Sequence, residues 1–341
     1  MAEISIIIPV YNGYRRMTDC IHSLMHQTIG KENMEVIIVN DGSTDETLSH
    51  LLEWEKQYPE TIVLVNLEQN SGAGAARNVG LSYASSEYIG FVDSDDYIEN
   101  TMYEAMLRKM KEHDCDLVLC RSKKHILEEA PEVSMGRGTE QDRFISIQNN
   151  RERADFLKLE ISASPCNKLY RRKLLTEHRI CFPEGFIYED VFFVELVKNY
   201  ANRIYFLEEY LYHYITYRDS MSNNTADWKK RLHRFIIEQL KLDELQQRGI
   251  YRIYQDYYDH EFIITYLTVV KNFIRTFGSI PIELLSEING QVRERYPQYH
   301  NIPLVKQLTE SKSVNFYNCL LNGLKQEVDS AFIEKLVSLA V

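Results

Sequence analysis

Residues 88–100, YIGFVDSDDYIEN, join an apolar run to three aspartates that fall within four positions. The run is typical of a buried strand, and carboxylates crowded at its end repel one another unless something neutralises them. Mg²⁺ and Mn²⁺ take one or two protein carboxylates and fill their other positions with water and substrate phosphates. A bend after Asp93 would let Asp93 and Asp95 face one site. The stretch therefore predicts a divalent-cation site that binds a diphosphate, whereas Asp96 is expected to cap the next helix.

Strands and helices alternate around this stretch. Apolar runs predict strands at 5–10, 35–40, 61–67, 88–92 and 116–120, and helical spacing predicts helices at 14–27, 43–58, 74–84 and 100–113. Ser43 and Glu46 have the spacing of a capping box for the second helix. The alternation predicts an α/β fold with a mainly parallel, Rossmann-like sheet. Residues 122–150 are polar and are expected to be irregular.

Polar residues follow four of the predicted strands, at 11–13, 41–45, 70–74 and 93–96. Ligands of parallel sheets bind outside the carboxyl ends of the strands, so these clusters are expected to share one rim. Asp41 and Asp93 suit hydrogen bonds to a nucleobase or to ribose hydroxyls. Arg77 suits either a carboxylate or a phosphate.

Composition excludes several classes of protein. A formal net charge of −11 argues against a nucleic-acid partner, because nothing would offset phosphate repulsion. The first strand is followed by YNGYRR instead of GxGxxG, and the P-loop pattern GxxxxGK[ST] is absent. Six scattered cysteines without CxxC pairs suit reduced thiols. With neither a signal peptide nor a membrane-spanning run recognised, we expect a cytoplasmic protein.

Four motifs in this order and spacing, SIIIPVYN (5–12), VNDGSTDET (39–47), NSGAGAARNVG (70–80) and FVDSDD (91–96), resemble family 2 glycosyltransferases of the GT-A fold that build bacterial cell-surface glycans. The resemblance is strong over residues 3–120 and weaker at 165–175, 188–193 and 212–222. It implies an inverting enzyme that transfers a sugar from a nucleotide donor, usually UDP-linked, with Mn²⁺ or Mg²⁺.

The resemblance also implies roles for residues on the predicted rim. Pro9, Val10 and Asp41 would hold the uracil, and Asn70 and Arg77 would contact the nucleotide and its diphosphate. Asp93 and Ser94 would meet the ribose or the donor sugar, and Asp95 would be the direct metal ligand.

The pair Glu189-Asp190 matches the position of the family's general base. Inversion is an in-line displacement, so one carboxylate must accept the proton of the acceptor hydroxyl. Burial at the mouth of an apolar helix can raise the pKa of a carboxyl toward that use. The alternative is an acidic helix N-terminus that only favours the dipole. We assign Asp190 as the base and Glu189 as a supporting or acceptor-site group.

The family's closing motif is matched only in part. Members often carry an Arg or His three residues before a Ser, and Tyr217 stands at that offset from Ser220. Arg218 or His213 could take that role. Arg218 and Ser220 are kept as candidates, and the third metal or diphosphate ligand stays open.

Two domains are expected. Residues 1–222 would form the catalytic domain, with a nucleotide-sugar half (1–120) and an acceptor half (121–222). Residues 223–341 would form a helical domain. The alternatives for this domain are a packed appendage, self-association into a homo-oligomer, or peripheral contact with the inner face of the membrane through Lys229, Lys230, Arg231 and Arg234.

The sequence thus predicts a metal-dependent hexosyl- or N-acetylhexosaminyltransferase that uses a UDP-sugar. Its acceptor would be a cell-surface glycan, a teichoic acid, a lipid-linked saccharide or a glycoprotein glycan. The alternatives are a non-catalytic nucleotide-sugar-binding module and a sugar-1-phosphate nucleotidyltransferase, whose Gly-rich pattern is missing after the first strand.

Overall fold

The computed structural model describes residues 2–126, 133–135, 141–216, 227–310 and 315–340. The chain divides into two compact units, Met1–Asn223 and Asn224–Val341. The first unit contains β1 (Ile4–Val10), β2 (Met34–Asp41), β3 (Ile62–Leu67), β4 (Tyr88–Phe91), β5 (Tyr97–Ile98), β6 (Leu117–Ile126), β7 (Val133–Met135), β8 (Arg143–Ser146), β9 (Lys168–Arg171) and β10 (Arg203–Thr216). Its helices are α1 (Met17–Met25), α2 (Thr47–Gln57), α3 (Ala73–Tyr83), α4 (Met102–Glu112), α5 (Asn150–Leu157), α6 (Arg172–Glu177) and α7 (Glu189–Tyr200).

The strands form one mixed sheet in the order β3-β2-β1-β4-β9-β6-β10-β5, with β7 on β6 and β8 on β10. Strands β1 to β4 are parallel, and so are β6 and β10, whereas β9 runs antiparallel between β4 and β6. The predicted α/β class is confirmed. Because β1, β2, β3 and β4 point the same way, the loops after them end at one edge of the sheet.

Strand β1 forms the centre of the core, and Ile6, Ile7 and Ile8 are fully buried. A parallel strand covered on both faces reads as a continuous apolar run, which is why SIIIPV carries no alternation. Helix α3 packs closely over it at Gly80, where an added Cβ would lie 2.4 Å from Cγ2 of Ile7. Glycine is therefore required at residue 80 by the distance between α3 and β1.

Gly80→Ala is expected to lower the free energy of unfolding by about 1–3 kcal/mol, because overpacking a buried contact outweighs the better helix propensity of alanine. Gly290→Ala is the control, since its added Cβ would meet only the end of the Arg293 side chain at 4.0 Å. That variant should hold or gain stability. Urea denaturation followed by circular dichroism measures both, and equal stability of the Gly80 variant and the parent would contradict the packing argument.

Two local predictions are wrong. Residues 122–150 are not irregular throughout, since β6 continues to Ile126 and β7 and β8 follow, although 127–132 and 136–140 lie outside the described residues. The capping box does not form either: α2 begins at Thr47 without a side-chain cap at Glu46. The Ser43 hydroxyl instead accepts the backbone N–H of Asn12 at 2.9 Å, so it joins the loop after β1 to the loop after β2.

The second unit is helical, as the sequence predicts. Its helices are α8 (Trp228–Gln247), α9 (Gln255–Phe277), α10 (Ile282–Arg295), α11 (Pro303–Glu310), α12 (Phe316–Gly323) and α13 (Ser330–Ala340). Glu238 of α8 is fully buried and forms ion pairs with Lys241 at 2.5 Å and with Arg234 at 2.9 Å. Across the described ranges, no helix has both the length and the apolar character needed to cross a bilayer.

Candidate functional site

The loops after β1 and β2 are joined at the predicted rim. The backbone N–H of Gly13 donates to the Thr47 hydroxyl at 2.9 Å, and the Asn12 side chain accepts the N–H of Thr44 at 2.9 Å. A Cβ on Gly13 would lie 3.4 Å from the Ser94 hydroxyl, so the loop after β4 reaches the same place. Pro9 is the least buried residue of β1, and Val10 is buried.

The Asp41 carboxylate fixes the loop that precedes α3. Its side chain is buried, and its two carboxylate oxygens accept the backbone N–H groups of Ser71 and Gly72, each at 2.8 Å. Gly42, with φ of +64°, lies against the backbone of the neighbouring Gln69–Asn70 segment. These contacts hold the loop before α3 against the end of β2. The predicted contact of Asp41 with the base stays a prediction, and Asn70 lies exposed on that loop.

Arg77 links the loop after β4 to helix α7. Its guanidinium donates to Asp93 Oδ1 at 2.7 Å and to Glu189 Oε1 at 2.6 Å, and its side chain is 6% exposed. Burial alone would lower the pKa of Arg77, but the Coulombic attraction of Asp93 and Glu189 outweighs it and raises that pKa. The predicted carboxylate partner of Arg77 is therefore present, and its contact with a diphosphate stays a prediction.

Asp190 lies beside this bridge at the start of α7. Its side chain is partly exposed, and Oδ1 accepts the N–H of Val191 at 2.8 Å. Burial raises the pKa of Asp190 to about 6, assisted by the negative charge of Glu189 and opposed by Arg77. The carboxyl is therefore accessible to a substrate and holds its proton more tightly than an ordinary aspartate does.

The three crowded aspartates have different surroundings. Asp93 is bound by Arg77. Asp96 is buried, where it accepts the Ile215 N–H at 2.7 Å and is bonded to the Tyr212 hydroxyl. The expectation that Asp96 caps the following helix is wrong, because α4 begins at Met102 without a side-chain cap. Instead, Asp96 ties the loop after β4 to β10.

Asp95 is the acid of the three that accepts no hydrogen bond from another residue of the described chain. Burial, together with the charge of Asp93, raises the pKa of Asp95 to about 6. Within those same ranges, no three metal-binding side chains converge. A carboxylate whose charge is offset only in part, by Arg16, fits a Mg²⁺- or Mn²⁺-type ion that takes most of its ligands from water and substrate phosphates. A structural zinc site would need a fuller set of protein ligands.

Some candidates are not joined to this cluster. Arg218 and Ser220 lie outside the described residues. His213 is buried on β10, where its ring nitrogens bond to Glu99 Oε1 at 2.9 Å and His125 Nε2 at 2.8 Å.

Two buried residues were not predicted from the sequence, and the first of them contributes to the site. The Tyr212 hydroxyl accepts the N–H of Asp93 at 3.3 Å and bonds to Asp96, so it joins β10 to the aspartate loop. Lys168 is fully buried at the start of β9. The sequence shows that the chain around residue 212 is rich in aromatic residues. It does not show that β10 pairs with β5, which is what places Tyr212 at this site.

The glycosyl transferase family 2 model matches residues 5–179, which is more than half of the chain. The chain is 35% identical over 228 residues to a poly(ribitol-phosphate) beta-glucosyltransferase of Bacillus spizizenii; the match covers 66% of this chain and 34% of that protein. It is 32% identical over 236 residues to the putative glycosyltransferase EpsH of Bacillus subtilis, covering 67% and 64% of the two chains. The chain thus spans less than two thirds of either relative's length.

Among solved structures, residues 1–349 of Staphylococcus aureus TarS in complex with UDP-GlcNAc match with a TM-score of 0.59. The identity is 24%, and the match covers 95% of this chain and 92% of that one. This likeness shows the fold, in agreement with the predicted GT-A type. Together with the family match over residues 5–179, it leads to one conclusion: the chain belongs to glycosyl transferase family 2.

Proposed function

We propose that this chain is an inverting, divalent-cation-dependent glycosyltransferase. It would move a hexosyl or N-acetylhexosaminyl group from a UDP-sugar to a hydroxyl of a cell-surface polymer such as a teichoic acid or another glycan. Its family membership supports the reaction class. The names of its relatives, which include a poly(ribitol-phosphate) beta-glucosyltransferase, support the acceptor class.

The observation that carries the proposal is the Asp190 carboxyl, whose pKa is raised to about 6 beside the Arg77 bridge. A general base works best when its pKa lies close to the operating pH, since it is then ionised and still a useful proton acceptor. Asp190 takes the proton from the acceptor hydroxyl as that oxygen attacks the anomeric carbon. The leaving diphosphate departs from the opposite face, so the configuration at that carbon inverts.

Arg77 and Glu189 position this base. The guanidinium fixes Glu189 at the first position of α7, and Asp190 follows directly. The same guanidinium fixes Asp93 on the donor side. Phe193, one turn along α7, stacks on Phe182 with centroids 4.0 Å apart and meets Phe91 edge-on. The start of α7 is thereby held by both ion pairing and packing.

Asp95 would hold the divalent cation, which supplies positive charge for the diphosphate when it is bound. The loops of the rim would enclose the nucleotide, with Pro9, Val10, Asp41 and Asn70 on the side of the base and Ser94 at the donor sugar. TarS, of the same fold, has been crystallised with UDP-GlcNAc, which supports a UDP-linked donor.

A thermal-shift screen of UDP-, GDP- and dTDP-sugars, with and without MnCl₂, tests the donor and the cation together. Ligands that bind only the folded state stabilise it, by about 2.7 kcal/mol at a hundredfold excess over Kd. We expect a UDP-sugar with Mn²⁺ to raise the melting temperature more than either does alone. Hydrolysis of that donor, followed by NMR of the released anomer, then distinguishes an enzyme from a binding module. A screen without any stabilising nucleotide sugar would refute the proposal.

A further inference from the structure

Lys168 is a buried ammonium group surrounded by oxygens. It opens β9, its side chain is fully buried, and Nζ donates to the carbonyls of Ser162 at 2.8 Å and Ser164 at 2.5 Å and to Asn167 Oδ1 at 2.9 Å. An ammonium has three N–H donors, and each of them has an acceptor here. A neutral amine would turn its lone pair toward one of these oxygens, so the arrangement favours the charged form.

The lysine fixes the loop before β9. Its contacts hold the carbonyls of residues 162 and 164, and the Tyr170 hydroxyl donates to the carbonyl of Pro165 at 3.1 Å. Lys168 and Tyr170 are two positions apart on a strand, so they lie on the same face of the sheet. Two buried side chains of β9 thus determine the path of this loop.

That face of β9 is the one on which α7 packs. The Tyr170 ring meets the ring of Phe193 edge-on, with centroids 5.6 Å apart. Phe193 and Asp190 are three residues apart in α7 and therefore lie on the same side of the helix. The sheet face that carries Lys168 is consequently turned toward the carboxyl of Asp190.

We propose that Lys168 is a positioning residue for the transfer reaction: its buried cation adds a second counter-charge, besides Arg77, for ionised Asp190 and fixes the 162–166 loop. The inference rests on the proposed function of Asp190. No contact between Lys168 and a substrate is needed, because the lysine acts through the carboxyl and through the loop.

The charges around the two groups agree with this role. Burial lowers the pKa of Lys168 to about 7, Lys198 acts in the same direction, and Cys166, Cys120 and Asp190 oppose the shift. The charged groups that face Asp190 from α7, α3 and the loop after β4 are Glu189, Arg77 and Asp93. Arg77 is bound to Asp93 and Glu189 and also favours ionised Asp190, and the coupling of Lys168 to Asp190 adds a second positive charge.

Coupling between two charges is reciprocal, so the first test does not require activity. In protein carrying isotope-labelled lysine, NMR should detect a lysine that titrates far below the others. In Asp190→Asn its pKa should fall further, because a neutral amide no longer stabilises the ammonium. Asp155→Asn, at an exposed position on α5, should leave it unchanged. An identical titration in the Asp190 variant would overturn the inference whether or not the protein is an enzyme.

The second test is the pH profile of UDP-sugar hydrolysis. Lys168→Met should move the acidic limb upward by about one unit, because Asp190 loses a buried counter-charge. Activity should recover at alkaline pH. Lys198→Met is the matched control: Lys198 is also a buried lysine that binds a carbonyl, that of Leu157, but it is paired with Glu195. Because Lys198 lowers the pKa of Lys168, its removal favours the Lys168 cation, and the acidic limb of Lys198→Met should not move upward.

The outcomes separate the two proposals. An unshifted limb in Lys168→Met would refute the role of the lysine and leave the glycosyltransferase proposal standing. Parent protein that hydrolyses no UDP-sugar would refute the enzyme, and the positioning role would fall with it. If Lys168→Met does not fold, the titration in Asp190→Asn decides the question on folded protein.

Discussion

Asp190→Asn is expected to reduce sugar transfer by about a hundredfold to ten-thousandfold, the range that a general base contributes. An amide has nearly the shape of the carboxyl but cannot accept the proton of the attacking hydroxyl. The affinity for UDP should be retained, because the rim that we assign to the nucleotide is built from other loops. Initial rates and equilibrium binding of UDP measure the two effects separately.

The pH dependence gives the same residue a second signature. Asp190 must be ionised to act, and its pKa is raised to about 6, so the rate should rise with pH through that value and then level off. Asp155→Asn, which also removes one carboxylate, should keep the parental rate and profile. Parental turnover in Asp190→Asn would show that another group is the base.

The same substitution should stabilise the fold at neutral pH. The pKa of Asp190 is higher in the folded chain than its ordinary value of 3.8, so ionisation is less favourable after folding. This cost is absent below about pH 4, grows between pH 4 and 6, and is complete above pH 6. Asp190→Asn should therefore gain up to about 3 kcal/mol at pH 8 and almost nothing at pH 4. Function is here obtained at the expense of stability.

Asp95→Asn is expected to abolish the response to Mn²⁺. In the parent, a divalent cation with UDP should raise the melting temperature and support hydrolysis, whereas the variant should melt at the same temperature with or without the cation. Without metal the variant should be more stable than the parent at pH 8, because burial and Asp93 disfavour ionised Asp95. Loss of the carboxylate should cost about a hundredfold or more in rate.

Asp19→Asn serves as the control for Asp95→Asn. It removes an equal charge from an exposed position on α1 and should leave the Mn²⁺ response intact. Thermal shift across a range of MnCl₂ concentrations measures both variants. Full Mn²⁺-dependent activity in Asp95→Asn would contradict the assignment of this residue as the metal ligand.

The sequence predicts best those parts of the fold that depend on residues adjacent in the chain. The runs at 5–10 and 35–40 became β1 and β2 within one or two residues, because strands buried on both faces need unbroken apolar sequence. The loops that follow them met at one rim, as parallel strands require.

Contacts between residues that are far apart in the chain could not be predicted from the sequence. Strand β9 is four residues long and contains Lys168, whose burial depends on carbonyls that only the folded loop provides. The sequence predicts Asp96 as a helix cap because Asp is common at helix N-termini. Its partners on β10 are more than a hundred residues away in the chain. The bridge of Arg77 to Glu189 spans a similar separation. Such contacts are set by topology, which a local pattern does not encode.

The bridge of Arg77 to Asp93 and Glu189 also restricts how this family member can evolve. Loss of the guanidinium would leave the partly exposed Asp93 and the buried Glu189 without their shared counter-charge, and loss of either carboxylate would leave the buried guanidinium short of a partner. Removing one partner of such a pair typically costs about 3–5 kcal/mol, whereas replacing the whole group can be nearly neutral. Substitutions at positions 77, 93 and 189 are therefore strongly epistatic. A lineage that alters one of them must change the others almost at once, so the three positions should be inherited as a single unit.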